Sequence, residues 1–332
     1  MNSVILNNGI KMPILGLGTY LSQNNSCALA VERAIKDGYR LIDTAVAYKN
    51  HKEVGEAIQK CIREGIVKRS DLFICTKVWL YDWHKEDVKH AVDVMLEELQ
   101  LDTIDLLLIH QSVFFNLTPE QDKKRREGYF FDYDNLPADD PKYRLGYKVE
   151  NMKELWSGME DVCRQGKVRS IGVSNFSGKR IKDLLEFATI KPAVNQVELH
   201  PYLQQWEVKD VCDQNGIYLM AFYPLGGAVS TRSITDMSPM DDPVIKEIAK
   251  NHNKSCAQIM IRWAIQRGTV CIPKSVTPSR IDENFDVFDF TLSPEEMLQI
   301  RQLDKGCRYA RRSFLLPSPL DWKDLWDGEY VH

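Results

Sequence analysis

Four polar residues stand out because each lies at or just past the end of a short apolar run. Asp43 follows Leu41-Ile42, and Tyr48 lies a few residues on. Lys77 is near the end of Phe73-Ile-Cys-Thr-Lys77-Val-Trp79, and His110 follows Leu106-Leu-Leu-Ile109. Nearly continuous apolar runs read as strands covered on both faces. An ammonium inside such a strand needs a counter-charge, and Asp43 on the neighbouring run supplies one. Taken singly, each residue reads as half of a structural ion pair or as a core histidine. Together on one rim they suit a particular chemistry. A phenol beside a buried Lys–Asp pair is expected to have its pKa drawn below ~10, because the cation favours phenolate. Such a phenol can pass a proton to an oxygen that gains charge as hydride arrives at the adjacent carbon, while an imidazole orients that oxygen. No side chain donates hydride, so a cofactor is implied.

The elements that must hold these residues alternate along the chain. Eight apolar runs occur, at Ile14–Leu17, Arg40–Asp43, Leu72–Val78, Ile104–Ile109, Arg169–Val173, Ala193–Glu198, Tyr218–Phe222 and Thr269–Ile272. Between and after them lie helical stretches at Cys27–Lys36, Lys52–Arg63, Lys85–Leu99, Glu150–Gln165, Lys179–Phe187, Trp206–Gln214, Pro243–Asn251 and Ala257–Gln266. Helices of this length are crossover connections and imply parallel strands. Eight such units predict an α/β fold of the closed (β/α)8 TIM barrel type. An N-terminal β-hairpin, Val4–Met12, precedes it, with Asn8-Gly9 as the expected tight turn. An open doubly wound sheet would need a Gly-rich turn after its first strand. Gly16-Leu-Gly18-Thr-Tyr-Leu21 lacks the third glycine. Two segments break the rhythm, 114–148 and 226–242. Both follow strands, which in a barrel puts them on the C-terminal face, where active sites sit. No internal repeat or linker appears, so residues 1–332 read as one domain.

Of 332 residues, 44% are hydrophobic and 27% charged, which excludes a disordered, collagen-like or coiled-coil chain. A net charge of −4 provides no global field for nucleic acid or an anionic membrane. No apolar run approaches the ~18 residues of a membrane span. Met1 to Gly9 lacks the basic and apolar regions of a secretory signal. The eight cysteines form no Cys-x-x-Cys pair and read as reduced thiols of a cytoplasmic protein. The seven histidines show no ligand spacing, and no metal site is assigned.

The run Leu41-Ile-Asp43-Thr-Ala-Val-Ala-Tyr48-Lys-Asn50, with Val54-Gly55 beyond it, resembles the most diagnostic segment of the aldo-keto reductases. Gly172-Val-Ser174-Asn175-Phe176, Asn195-Gln196-Val-Glu-Leu-His200-Pro201 and Ile272-Pro-Lys274-Ser275 are similar to further family motifs, in the expected order over nearly the whole chain. The resemblance is closest to the aldose reductase and xylose reductase branch. It implies NADPH-dependent reduction of aldehydes, including open-chain aldoses, with Tyr48 as general acid, Lys77 and Asp43 tuning it, and His110 orienting the carbonyl. It also implies that Ser174, Asn175 and Gln196 hold the nicotinamide carboxamide. Phe222 stands where the family's stacking tyrosine is usual, followed by Tyr223 and Leu225. Lys274, Ser275, Arg280, Glu283 and Asn284 resemble the adenosine end. Cations and a hydroxyl close together suit a 2′-phosphate, favouring NADP(H), while Glu283 suits adenine or a ribose hydroxyl.

The sequence also departs from the family. Gln111-Ser112 replaces an aromatic and a proline after His110, giving the substrate pocket a more polar wall. Tyr20 stands where aldose reductases carry tryptophan, whereas Trp79 matches. The 114–148 loop is longer than in most relatives. The tail, 307–332, resembles the substrate-selecting loop only loosely. Its Trp322, Trp326 and Tyr330 read either as pocket lining or as anchors, and Arg311 and Arg312 as a solvated surface pair, with contact to an anionic substrate as the alternative. The expected partner is a small aldehyde or aldose, with the protein a monomer, or a dimer if the extra loop serves as an interface. The rival reading is a cofactor-binding regulatory or structural barrel with little turnover.

Overall fold

The N-terminal hairpin pairs β1 (Ser3–Ile5) with β2 (Lys11–Pro13) in the computed structural model, which describes residues 3–128, 130–131, 140–227, 237–312, 315–317 and 319–329. Its turn differs by one residue from expectation. The Gly9 amide bonds the Leu6 carbonyl, so Asn7 and Asn8 form the turn and Gly9 follows it at φ 84°. A left-handed glycine after the turn returns the chain to strand geometry. Asn7 and Asn8 bond the Pro192 and Arg169 carbonyls, just before two barrel strands, so the hairpin covers the N-terminal mouth.

Each of the eight apolar runs overlaps a barrel strand, two of which extend one residue beyond it. The strands are β3 (Gly16–Gly18), β4 (Leu41–Asp43), β5 (Phe73–Val78), β6 (Leu106–Ile109), β9 (Ile171–Ser174), β10 (Val194–Glu198), β11 (Tyr218–Phe222) and β12 (Val270–Cys271). They pair in that order, all parallel. Bridges from Leu15 to Cys271 and from Gly18 to Lys274 join the first strand to the last. The expected (β/α)8 barrel therefore forms. Every residue of β5 is buried, including Thr76 and Lys77, as a strand between a barrel interior and a helix layer requires.

The eight expected helical stretches form α1 (Ser26–Asp37), α2 (His51–Arg63), α3 (Lys85–Leu99), α5 (Val149–Arg164), α6 (Gly178–Leu185), α7 (Trp206–Gln214), α8 (Pro243–His252) and α9 (Cys256–Gln266), and α10 (Pro278–Phe285) and α11 (Pro294–Arg301) follow. Two glycines permit close approach. A Cβ on Gly55 would lie 2.7 Å from the Glu98 carbonyl of α3, and one on Gly172 would lie 2.6 Å from the Val194 carbonyl of the next strand.

The described residues of the 114–148 segment carry more regular structure than its composition suggests. Phe114–Phe115 (β7) pairs antiparallel with Arg144–Gly146 (β8), and Pro119–Arg126 forms α4. Thr118 caps α4 in a reciprocal box with Gln121, and Pro119 opens it. A second apolar cluster joins Trp79, Leu80, Tyr81, Val113 and Phe115 to Leu315, Leu316, Leu325 and Trp326 of the tail. A short helix, α12 (Trp322–Leu325), lies in that tail, whereas Tyr330 falls outside the described residues. None of the eight cysteines forms a disulfide. Among the described residues no helix is long and apolar enough to cross a membrane, and no His, Cys, Asp or Glu cluster is arranged to hold a metal.

Candidate active site

Strand register brings the four rim residues together. Asp43 ends β4 opposite Cys75 of β5. Lys77, two residues on, lies opposite Leu108 of β6, and His110 is the residue after that strand. Tyr48 closes a single 3-10 turn, Val46–Tyr48, and Lys49 at φ 56° turns the chain away behind it. The Lys77 ammonium donates to Asp43 Oδ1 and Oδ2 at 2.8 and 2.9 Å, to the Thr44 carbonyl at 2.9 Å and to the Tyr48 hydroxyl at 3.1 Å. The Tyr48 and His110 rings meet edge-on, 5.7 Å between centroids.

The charge states follow from burial and neighbours. Desolvation alone would lower the Lys77 ammonium, but Asp43, then Tyr48, outweigh it and raise its pKa, so it stays charged. Burial, followed by the nearby Lys77 and Arg312 charges, takes His110 well below the usual histidine range, so its ring is neutral at neutral pH. Its Nδ1 is buried and has no protein partner. Tyr48 corrects the expectation of an acidified phenol. Burial pushes it up to about 12, although Lys77 pulls the other way. The low-dielectric cleft penalises phenolate more than one shared cation stabilises it. The result is a phenol that keeps its proton at neutral pH.

Beside this group, the last residues of β9 and β10 form a polar shelf. The Ser174 hydroxyl donates to the Gln196 carbonyl at 2.8 Å and accepts from Asn175 Nδ2 at 3.0 Å. Asn175, at φ 61°, also donates from Nδ2 to the His110 carbonyl at 2.8 Å. Its Oδ1 is buried without a partner. Gln196 donates to Asp43 Oδ2 at 2.7 Å, so it belongs to the Lys77–Asp43 network as well as to the shelf. Phe222 and Leu225 are half-buried at the end of β11. Tyr223 packs edge-on to Phe222 at 5.3 Å and lies 6.4 Å from Tyr20.

At the far end Lys274 and Arg280 are exposed, and Thr277 leaves α10 without a side-chain cap. Ser275 and Asn284 are buried. The Ser275 hydroxyl accepts from the Thr277 amide at 3.1 Å, and the Glu283 carboxylate accepts from the Ser255 hydroxyl. Glu283, expected to face adenine or ribose, is thus already engaged within the protein. A dinucleotide carrying a 2′-phosphate fits this donor set. An orphaned amide oxygen awaits a carboxamide, a ring face awaits stacking, and two cations stand at an uncapped helix start.

Around the four rim residues, expected neighbours stand beside unexpected ones. Trp79 meets His110 edge-on at 5.1 Å, and Tyr20 lies 5.1 Å from Tyr48. Gln111 is buried with Oε1 unpartnered. Phe130, from the inserted loop, packs 5.7 Å from Trp79. Trp326 is an anchor, fully buried with the Arg308 guanidinium 3.5 Å from its ring. Glu198 anchors the tail too, accepting from the Tyr309 and Ala310 amides at 2.8 Å each.

Arg312 overturns the reading of a solvated pair. At φ 56° it turns inward, with its guanidinium 5.3 Å from the Phe222 ring, and its charge reaches Tyr48, His110 and Tyr223. The sequence offered contact with an anionic substrate only as the alternative, because the turn comes from a left-handed residue that is not glycine.

A family model described as the aldo/keto reductase family matches residues 14–305. Among curated proteins, aldo-keto reductase family 1 member A1 of Sus scrofa is 40% identical over 310 residues, spanning 92% of this chain and 90% of that protein. An aldo-keto reductase of Bombyx mori, solved in complex with NADP, superposes with a TM-score of 0.81 at 34% identity, covering 100% of this chain and 99% of that one. The aldose reductase of Schistosoma japonicum gives 0.83 at 32% identity, covering 96% and 99%. With the barrel, the Lys77-centred cluster and these likenesses in agreement, the chain belongs to the aldo/keto reductase family.

Proposed function

We propose that the protein is an NADPH-dependent reductase that converts aldehydes to alcohols, with Tyr48 as proton donor. The observation that carries this reading is the 3.1 Å contact from Lys77 to a Tyr48 hydroxyl that retains its proton, beside an asparagine whose buried Oδ1 has no partner. NADPH, when bound, supplies the hydride. Asn175, with Ser174 and Gln196, fixes the carboxamide and so the ring face that meets the substrate. Phe222 supports that ring from behind. Neutral His110 orients the carbonyl oxygen toward the Tyr48 hydroxyl. As charge grows on that oxygen the phenol releases its proton, and the Lys77 ammonium stabilises the phenolate left behind. Lys274 and Arg280 hold the 2′-phosphate.

The substrates are small aldehydes, open-chain aldoses included. Arg312 at the pocket favours those that carry a carboxylate away from the carbonyl. Eight cysteines without a disulfide suit a reducing cytoplasm, and one barrel with its own core suits a monomer.

The test follows the loss of NADPH absorbance with neutral and carboxylated aldehydes, in wild type and in Tyr48→Phe. Turnover in wild type and its loss by roughly 100-fold or more in the variant, with NADPH binding retained, is the expected result. Binding without turnover on every aldehyde would favour the regulatory or structural reading.

A further inference from the structure

The cluster around Arg180 is buried, charged and outside the groups assigned so far, yet it ends at the shelf beside His110. Arg180 lies in the first turn of α6 with its side chain almost fully buried. Its Nε lies 3.0 Å from Asp327 Oδ2, its Nη2 donates to the Asp324 carbonyl at 3.1 Å, and its Nη1 donates to the Ser112 hydroxyl. The Tyr147 ring packs against the guanidinium at 4.7 Å. Two of the three polar partners belong to the C-terminal tail. The third is Ser112, two residues past His110.

The tail is seated on α6 by further contacts. Asp327 also accepts from the Ser177 hydroxyl, and Glu329 accepts from the Gly178 amide at 3.0 Å. On the other side, the fully buried Ser112 donates to the Asn175 carbonyl at 3.3 Å. Asn175 holds an unusual backbone conformation at φ 61°, and such conformations persist only where the surroundings hold them. Its amide bonds the Gln196 carbonyl at 2.9 Å, and its Nδ2 is committed to Ser174 and His110. Ser112 adds a restraint at its carbonyl, and Arg180 holds Ser112.

We propose that Arg180 and Ser112 are positioning residues for the nicotinamide end of the cofactor: the tail fixes the guanidinium through Asp327 and Asp324, the guanidinium fixes the Ser112 hydroxyl, and that hydroxyl holds Asn175 in the conformation that presents Oδ1. This rests on the proposed role of Asn175 as a carboxamide ligand. It also makes the seating of the tail felt at the cofactor, through one continuous series of contacts.

The test compares two ligands. NADPH occupies both ends of the site, whereas 2′,5′-ADP occupies only the adenosine end. Ser112→Ala removes one oxygen and leaves the Asp327 and Asp324 contacts intact, so the fold is retained. The expected result is NADPH binding weakened roughly tenfold with 2′,5′-ADP binding unchanged. Arg180→Lys, which cannot span Ser112 and Asp327 together, gives the same pattern, and the double variant loses no more than the worse single one. A role confined to packing would weaken both ligands alike or neither, and either outcome overturns the proposal. The binding readout stands apart from turnover. If wild type bound NADPH but reduced no aldehyde, the functional reading would fall, and the two-ligand pattern would still decide this one.

Discussion

Lys77 Nζ lies 2.8 and 2.9 Å from the two carboxylate oxygens of Asp43, and both side chains are sealed from solvent. Attraction at that distance in a low-dielectric interior offsets the desolvation of both ions, and the Thr44 carbonyl and Gln196 amide take up remaining hydrogen bonds. Removing one partner strands the other. Asp43→Asn and Lys77→Met should each lower stability by about 3–5 kcal/mol. The double variant should regain part of the loss, because no lone charge then stays buried. Denaturant unfolding of the three variants measures this, and a single variant with the wild-type midpoint would contradict it.

Tyr48 makes a directional prediction about pH. Its phenol, held up to about 12 by burial against the pull of Lys77, is protonated throughout the neutral range, the state a donor requires. Aldehyde reduction should therefore be flat across roughly pH 6 to 9, with no inflection from His110, whose ring is already neutral. Alcohol oxidation needs the phenolate as base and should climb steadily with pH over the same range. Steady-state rates in both directions at saturating cofactor check the contrast. A reduction rate that falls on passing neutrality would mean that the acidified phenol is the correct description after all.

That reversal marks where sequence reasoning stops. The strand ends that bring Asp43, Tyr48, Lys77 and His110 together were legible because apolar runs of four to seven residues locate barrel strands, and a polar residue closing such a run must sit on the rim. The sign of the Tyr48 shift was not, because it depends on how tightly Tyr20 and His110 close around the ring, which spacing does not encode. Helix α4 was missed for a different reason. Pro119-Glu-Gln-Asp-Lys-Lys-Arg-Arg126 has no apolar stripe, so periodicity is silent. Its Thr118-x-x-Gln121 box was nevertheless present as a local start signal. For Arg312 neither kind of signal separated contact with an anionic substrate from a solvated pair.

Helix α4 also brings an uneven charge cluster to the barrel. Arg125 pairs with Asp82 and Asp87 at 2.7 Å and with Asp122 at 2.8 Å, and Arg126 reaches Asp87 at 3.3 Å. Three carboxylates face two guanidiniums. Burial pushes Asp82 up to about 7, Arg125 opposes this, and Asp87 adds to it. A raised carboxylate pKa means that the folded state holds its proton longer than the unfolded chain does. Stability from this group is therefore full below the unfolded value near 3.9, and is lost as pH rises to about 7. Asp82→Asn keeps a neutral side chain at every pH. Its advantage over wild type should grow from pH 4 to 7 and then level off, at on the order of 1 kcal/mol or more, roughly 2 °C in thermal midpoint. Thermal scans of both proteins at pH 5 and pH 8 suffice. A difference between variant and wild type that does not shift in the variant's favour from pH 5 to pH 8 would show that the charged Asp82–Arg125 bond offsets the burial of its charge.

Arg312 separates substrates by charge. Its guanidinium stands 5.3 Å from the Phe222 ring, and its charge acts on His110, which puts a cation near the reacting groups. A carboxylate on the substrate would meet it in a partly dry pocket, where a charge-assisted hydrogen bond contributes about 1.5–3 kcal/mol. A neutral aldehyde of the same length makes no such contact. Arg312→Ala should therefore raise KM for a carboxylated aldehyde roughly 10- to 100-fold while leaving KM and kcat for the neutral one within about twofold. Arg312→Lys should fall between, because the ammonium keeps the charge and loses the bidentate fork. Equal losses on both substrates would instead make Arg312 a brace for Phe222 and the cofactor. In that case NADPH binding would weaken in the alanine variant, and the preference for anionic aldehydes would have to come from elsewhere in the pocket.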